Sequence, residues 1–436
     1  MATGWARRRG WFVGGWAGRL ARPAPAQLAL LLAVVSWHTA TNLGGTAAAV
    51  GYGIVVTASM SVLVPWGTDL LQRAPTWVLP ALAAGCVALL VVAFVMGLPD
   101  AYGFALGVGS DRANALDVAL AQLADGRYPY TATTYVGNPI TPLPGALLLA
   151  APFWWVAGTA AWQNLAWVFL LLPVLNGGWR LRSRPTVLWA LTALGGLEVL
   201  REFVIGDDLV SSAIPAVAAV AWTLRAARGR ATWVLAGASI LLGVATCTRP
   251  HMLLVVVIAV AAVGMAAGAR RALLVGVGAT LVWVALVVPF LRGGVARFSP
   301  LHTVAKVTGD RALTVGMIAI ALGATALVVV VLAVTRPSGA TGVGWLCAAA
   351  LFAPSVLSLV QRLLVGPSAE LDLTLGAAAV PFAVWATASP LLRPPSARPA
   401  SPRAGRTVSA SRPMAAAPAD SEPRADDFRR RRGSTN

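Results

Sequence analysis

Ionisable side chains are scarce in this chain, and those able to do chemistry cluster in a few short stretches. Two acids stand side by side at Asp207 and Asp208, and Asp111 is followed directly by Arg112. The basic candidates occupy "CTRPHM" and "RFSPLHTVAKVTGDR", and they are Arg249, His251, His302, Lys306 and Arg311. A carboxylate can accept a proton from a reacting hydroxyl, and cationic side chains can bind a phosphate. These stretches are therefore the candidates for a functional site.

Each candidate also has a plain structural interpretation. Asp111 can cap the helix that follows it. The pair Asp207 and Asp208 can cap a helix that begins near Leu209, instead of binding hydroxyls or a divalent ion. Arg249 can extend its side chain to the membrane surface, and the later basic stretch can be an ordinary polar loop. The sequence leaves both interpretations open for each residue.

Composition decides the broad class of protein. Hydrophobic residues make up 58% of the 436 residues, charged ones only 11%, and the mean hydropathy is +0.74. Apolar runs near the ~20 residues needed to cross a bilayer recur along the chain. The first run, residues 26–44, lacks a convincing cleavage site and is interpreted as a retained helix. We therefore predict an all-α, polytopic membrane protein with one membrane domain over residues 26–390.

The net charge of +18 is concentrated at the two ends of the chain. Residues 1–25 carry five arginines and no acid, and residues 391–436 carry ten arginines against four acids. Such clusters mark the cytoplasmic side of a membrane protein and can contact anionic lipid. The C-terminal segment is rich in Pro, Ala, Ser and Arg, which predicts disorder. Its single aromatic residue argues against nucleic-acid binding.

No cofactor motif occurs in the sequence. Cys86, Cys247 and Cys347 are scattered through apolar runs without a CxxC spacing, so we expect buried thiols and neither a disulfide nor a metal site. A phosphate-binding glycine loop and a serine-nucleophile elbow are also missing from the sequence. We expect no cofactor, with a divalent metal ion as the one open option.

Alternation of arginine-containing loops predicts the membrane topology. With the N-terminus inside, the first helices fall at residues 26–44, 47–65 and 76–98. Counting backward from a cytoplasmic C-terminus gives helices at residues 372–388, 342–365, 312–334, 272–291, 250–268, 231–247, 209–224 and 186–203. The two counts agree if residues 141–178 cross once, as one spanning helix plus a re-entrant or interfacial segment. This predicts about twelve crossings of a plasma membrane, with both termini cytoplasmic and the loops 99–140 and 292–311 outside.

Ionisable residues inside the predicted helices lie toward their outer ends. They are His38, Glu198, Arg201, Glu202, Arg249, His251 and Arg362. Charged groups at membrane depth are costly and usually line a cavity or a pathway, which favours a single site that opens outward. The alternative is that hydrated helix ends simply tolerate them.

The longest polar segment combines an amphipathic helix with a proline-rich turn region. Leucines recur at helical spacing at Leu116, Leu120 and Leu123. We expect this juxtamembrane helix to end at Gly126 and to place its leucines in the lipid interface. The following "RYPYTATTYVGNPITPLPG" favours turns and extended backbone. Tyr128 and Tyr130 make it a candidate substrate-lining segment.

Residues 110–153 resemble the first external loop of the GT-C glycosyltransferases. The likeness rests on an acid soon after an outward-going helix, a juxtamembrane helix, "GRYPY", and the proline-rich "GNPITPLPGALLLAAPF" that leads into the next helix. It is closest to the polyprenyl-phosphate-mannose-dependent mannosyltransferases of actinobacteria. In that family the loop acid is the catalytic base, which implies this role for Asp111, with Asp100 and Asp117 as competitors. The loop follows the third predicted helix here, whereas the family usually places it after the first.

The resemblance implies a membrane glycosyltransferase that transfers a sugar, expected to be mannose, from a polyprenyl-phosphate donor to a lipid or glycan acceptor on the extracytoplasmic face. Asp111 would be the base. The expected substrate-binding residues are Arg112, Tyr128, Tyr130, Asp207, Asp208, Arg249, His251, His302, Lys306 and Arg311. The main alternative is a transporter or lipid flippase, which would place charges near the bilayer midplane and carry paired broken helices. An inactive scaffold subunit would need no acid in the loop.

Overall fold

The computed structural model describes residues 23–101, 110–292, 294, 297–301, 339–365 and 373–389. Helices dominate this part of the chain, and its extended pairing is limited to an isolated bridge between Thr133 and Pro139. The helices α1 to α14 are, in order, Pro23–Val35, Trp37–Arg73, Val78–Ala101, Arg112–Ala124, Pro144–Ala157, Gln163–Asn176, Ser183–Gly195, Leu197–Val204, Leu209–Ala226, Thr232–Thr246, Leu253–Ala267, Ala269–Leu291, Ala340–Val365 and Val380–Ala388. Short 3₁₀ turns cover Pro129–Thr131, Ala160–Trp162, Pro250–Met252, Ser299–Leu301 and Thr374–Ala379.

The described helices follow the predicted apolar runs closely. α9, α10 and α12 match the predicted helices 209–224, 231–247 and 272–291 to within three residues. The predicted helix 186–203 is instead divided at Gly196 into α7 and α8, and the predicted helix 26–44 is interrupted after Val35, where α1 ends. The predicted boundary between the first two helices also corresponds to a break, because the backbone of α2 is non-helical at Gly44 and Gly45. Gly45 has φ +73°, a conformation that glycine adopts without steric cost. The predicted helix 312–334, most of residues 1–25 and the tail 391–436 lie outside the described residues.

Several helices are long and apolar enough to cross a bilayer. The described residues contain five of them, Trp37–Arg73, Val78–Leu98, Leu209–Ala226, Pro250–Ala267 and Ala269–Leu291. A sixth results if Pro144–Ala157 and Ala160–Asn176, which are bent by 108°, count as one broken span. The fold is that of an α-helical membrane protein, as composition predicts. The total of about twelve crossings stays a prediction.

α9 lies at the centre of the bundle. It contacts α6, α8, α10, α11, α13 and α14, and its alanines Ala213, Ala216 and Ala219 are fully buried, so neighbouring helices can approach closely. Its first residue follows Asp208, whereas Arg225 near its other end donates a hydrogen bond to the carbonyl of Gly177. Eighteen helical residues separate the two ends by about 27 Å, close to the thickness of a bilayer core.

The amphipathic helix of the polar loop is present as α4, but its leucines do not face lipid. Leu116 and Leu120 are 1% and 6% exposed, in a cluster with Ile140 and Leu143. Leu123 keeps 37% of its surface exposed. The expectation that the leucine face enters the lipid interface is therefore wrong for two of the three residues. The proline-rich segment folds back over the helix and covers that face, which anchors α4 to the protein.

Candidate functional site

Asp111 presents a carboxylate at the start of α4, although not as a helix cap. Its side chain makes no capping hydrogen bond to the helix. Instead, the hydroxyl of Thr134 and the side-chain amide of Asn138 each donate to Oδ2 at 2.8 Å. Among the described residues, no group donates to Oδ1 and no cation pairs with this half-buried carboxylate. The two donors thus fix the orientation of the carboxylate through one of its oxygens.

A short hairpin carries both residues that hold Asp111. The Thr133–Pro139 bridge closes it, the amide of Thr134 donates to the carbonyl of Asn138 at 2.8 Å, and the amide of Gly137 donates to the carbonyl of Thr134 at 2.8 Å. Gly137 has φ +82°, the left-handed conformation that ends a three-residue hairpin loop. The hairpin therefore acts as a rigid clamp on Asp111, and its residues were not predicted as site residues.

Arg112, one residue farther along α4, points into the bundle. Its guanidinium pairs with the carboxylates of Glu202 at 3.1 Å and Asp207 at 3.2 Å, and both acids have fully buried side chains. Burial raises the pKa of Asp207, and the charge of Arg112 opposes that rise by stabilising the ionised form. The structure thus gives Arg112 two protein partners at the position where substrate contact was expected.

The buried acids continue as a network on α8. Arg201 pairs with Glu198 at 3.3 Å and with Asp207 at 3.9 Å. Thr39 of α2 donates a hydrogen bond to Glu198, and this contact joins α2 to the network. Buried charges are costly unless paired, so each of these contacts offsets a large desolvation cost. Several of the ionisable residues that were predicted to lie at outer helix ends therefore have a structural role, because they neutralise one another.

Asp208 and Arg249 form a second buried pair. Asp208 precedes α9 but makes no side-chain cap, and it accepts a hydrogen bond from Arg249 instead. The capping contact comes from Glu202, whose carboxylate accepts the amide hydrogen of Val210 at 3.0 Å. Arg249 also donates to the hydroxyl of Thr141 at 3.2 Å. The predicted cap by Asp208 and the predicted extension of Arg249 to the membrane surface are both absent from the structure.

Tyr128 and Tyr130 join the polar loop to the end of α12 and to the segment that follows it. The hydroxyl of Tyr128 donates to the carbonyl of Phe290 at 2.7 Å, and Tyr130, only 3% exposed, packs against Phe298 with ring centroids 4.9 Å apart. The hydroxyl of Ser299 donates to the carbonyl of Ile140. The two tyrosines were expected to contact substrate, yet both are occupied by these packing contacts. The two loops predicted to share a site do meet here.

Of the remaining basic candidates, His251 alone is among the described residues. His251 is partly buried in the 3₁₀ turn after Arg249, and none of the described residues bonds its Nε2. His302, Lys306 and Arg311 follow Leu301, the last described residue of the second loop, and lie outside the described residues.

Of the two acids that compete with Asp111 for the role of base, Asp117 has other partners. Asp117 accepts hydrogen bonds from the hydroxyl of Thr159 at 2.7 Å and the amide of Ala160 at 2.6 Å, and so it holds the turn between α5 and α6. Asp125 pairs with Arg127 on the surface. Asp100 lies in the last turn of α3, and its side chain is outside the described part of the structure. Asp117 therefore supports a turn, whereas Asp111 is held by the hairpin alone among the described residues.

No metal centre is evident where the structure is described. Within those ranges, no group of three His, Cys, Asp or Glu side chains is arranged to hold an ion. The thiols of Cys86, Cys247 and Cys347 are free and buried, as predicted.

The fold and the site together define a class of protein. It is an α-helical membrane protein in which a loop carboxylate, Asp111, lies next to an arginine of a buried ion-pair network. Comparison of the chain with protein-family models, curated proteins and solved structures gives no match.

Sequence patterns did not predict Thr134, Tyr135 and Asn138, the residues of the hairpin that clamps Asp111. The available signal was "TTYVGNP", in which glycine follows two residues with strand preference and proline comes shortly after, as expected for a hairpin.

Proposed function

We propose that this protein is an integral membrane glycosyltransferase. It transfers a sugar, mannose in the simplest case, from a polyprenyl phosphate to the hydroxyl of a lipid or glycan acceptor on the extracytoplasmic face. The observation that carries the proposal is the Asp111 carboxylate, which has one oxygen fixed by two neutral donors and the other available. A general base needs this combination of fixed orientation and access to the hydroxyl proton.

The contrast with the other acids strengthens the assignment of Asp111. Glu202, Asp207 and Asp208 have fully buried side chains and arginine partners, so their charges are already compensated. A base must contact the acceptor, and these three cannot do so without breaking a buried ion pair. We therefore assign them to the scaffold that supports the loop, and Asp111 to the chemistry.

The same argument reassigns the phosphate site. Arg112 and Arg249 are engaged by buried carboxylates, so neither is well placed to stabilise the departing polyprenyl phosphate. The second loop meets the first at Phe298 and Ser299, three to four residues before His302. We propose that His302, Lys306 and Arg311, which follow this contact in the sequence, supply the positive charge, and that His251 adds a further contact. The leaving phosphate would then depart toward the second loop.

The donor preference tests this function directly. Purified protein in liposomes should transfer mannose from a polyprenyl-phosphate mannose to an alkyl mannoside acceptor, and it should not use a nucleotide sugar when lipid-charging enzymes are left out. The reason is that the proposed site faces a compartment without nucleotide sugars. Transfer is measured as radiolabelled product separated by thin-layer chromatography. Direct use of the nucleotide sugar, or no transfer from either donor, would remove the assignment.

Cysteine labelling tests the membrane sidedness on which the proposal depends. In a variant with all three native cysteines replaced by alanine, Ala124→Cys at the exposed end of α4 should react with an impermeant maleimide added to intact cells. Arg228→Cys, at the arginine-rich end of the bundle and also exposed, should react only after the membrane is opened. The reason is the positive-inside rule, which places the arginine-rich end of the bundle in the cytoplasm, where the impermeant reagent cannot reach it. Labelling of the second variant in intact cells would invert the scheme.

A transporter is the second candidate, and a specific observation favours it. Buried ion pairs on α8 lie beside a helix break at Gly196, and the α5 and α6 pair is bent by 108°. Broken helices near charged groups are typical of transporter binding sites. Flux of labelled polyprenyl-phosphate mannose across a protein-containing vesicle, without formation of a glycosylated product, would select this alternative.

A further inference from the structure

The tip of the clamp hairpin exposes an aromatic ring beside the proposed base. Tyr135 is 42% exposed, although it lies between Thr134 and Asn138, the two residues that hold Asp111. Its hydroxyl donates to the carbonyl of Ser110 at 3.3 Å, and its backbone amide donates to the side chain of Asn114 at 3.0 Å. Four hydrogen bonds thus fasten this hairpin to three residues at the start of α4, Ser110, Asp111 and Asn114. An exposed ring held this firmly loses little conformational entropy when it contacts a ligand.

The charge of the hairpin indicates which ligand would suit it. Between Arg127 and Arg180 the sequence contains no Asp, Glu, Lys or Arg, so the hairpin offers a neutral surface. A phosphate would meet no cation of the hairpin itself and would be repelled by the neighbouring Asp111 carboxylate. A pyranose ring matches better, because its hydroxyls can bond carboxylate and amide groups while its C–H face packs on an aromatic ring by dispersion.

We infer that Tyr135 is a sugar-binding residue, whose ring forms one wall of the subsite for the sugar that reacts at Asp111. This inference rests on the proposed function and adds a specificity-determining residue to it. The sugar can belong to the donor lipid or to a glycan acceptor, since both would bring a pyranose ring to the same carboxylate.

Direct binding separates the contribution of the sugar from that of the lipid. The protein in nanodiscs is titrated with citronellyl-phosphate mannose and with citronellyl phosphate, which lacks the sugar. Tyr135→Ala should weaken binding of the mannosylated lipid about 3- to 10-fold and leave the sugar-free lipid unchanged. Tyr135→Phe should retain the preference for the sugar because it keeps the ring. Octyl mannoside, titrated in the same way, reports on the acceptor side.

Controls keep the result interpretable. Val136→Ala removes another exposed apolar side chain from the same hairpin tip, and it should change none of these affinities. If Tyr135→Ala lowers the thermal unfolding temperature markedly, Tyr135→Leu retains apolar bulk without an aromatic face, and it should show the same selective loss.

The possible outcomes distinguish failure of this inference from failure of the proposed function on which it rests. If the wild-type protein transfers mannose while Tyr135→Ala binds both mannosylated probes normally, the inference fails and the function stands. Equal weakening with and without the sugar would show contact with lipid or membrane surface, and it would also overturn the inference. A wild-type protein that does not distinguish citronellyl-phosphate mannose from citronellyl phosphate and transfers nothing would overturn both.

Discussion

Replacement of Asp111 by asparagine is expected to lower the rate of sugar transfer by on the order of 10²-fold or more, the usual contribution of a general base. The protein should still insert and fold, because an amide oxygen can accept the same hydrogen bonds from Thr134 and Asn138 that Oδ2 accepts now. Only the capacity to take the acceptor proton is lost. The measurement is kcat for transfer from polyprenyl-phosphate mannose, with unfolding temperature recorded for each variant.

Two neighbouring acids provide matched controls for this variant. Asp125→Asn changes an exposed carboxylate close to the end of the same helix and should keep nearly full activity. Asp117→Asn should mainly lower stability, by about 1 kcal/mol, because its amide nitrogen cannot accept one of the two hydrogen bonds that hold the α5–α6 turn. Full activity of Asp111→Asn would defeat the assignment of the base and make the transporter the better candidate.

The second large effect is expected at Arg112. Arg112→Ala leaves the buried carboxylates of Glu202 and Asp207 without their shared arginine, and breaking a buried pair in this way typically costs about 3–5 kcal/mol. Because Arg112 follows Asp111 directly, the start of α4 should also lose its attachment to the bundle. We expect a lower unfolding temperature together with loss of transfer, even though Arg112 does not act on substrate in the proposed mechanism.

The surface pair of Arg127 and Asp125 is the control for this effect. Both side chains are more than half exposed, so Arg127→Ala should change stability by about 1 kcal/mol or less. Adding Asp207→Asn to Arg112→Ala should recover part of the loss, since one uncompensated charge is removed. If Arg112→Ala unfolds like the wild type yet fails to bind citronellyl phosphate, the arginine contacts substrate and the supporting role proposed for it is incorrect.

The positions of the membrane helices could be predicted because hydrophobicity is a local property. Apolar runs of the right length predicted α9, α10 and α12 with small boundary shifts, and the predicted boundary between the first two helices falls at the break in α2. The amphipathic helix of the polar loop was also predicted, but its environment was not. Helical spacing shows which residues share a face, and it does not show whether protein or lipid covers that face.

The roles of the polar residues were harder to predict for a related reason. Tyr128 and Tyr130 were chosen as substrate-lining because they lie in a polar segment. In the structure, Tyr128 bonds the carbonyl of Phe290 in α12 and Tyr130 packs against Phe298 beyond that helix. Tyr135, five residues later and similar in type, is the one that remains exposed. Burial of a side chain in a loop depends on which distant segment folds over it, and a single sequence carries little information on that choice.

The sequence by itself determined the class of protein, the placement of most described helices and the loop in which an acid is available, because these depend on composition and on neighbours within one helix. Tertiary structure decided which charges are available for chemistry. Arg112 meets Asp207 across 95 positions, Arg249 meets Asp208 across 41, and Asp111 meets Thr134 across 23. Whether a carboxylate is neutralised by an arginine or left with an accessible oxygen depends on these long-range contacts, since burial and pairing set the energy of a charge and both are properties of the packed chain.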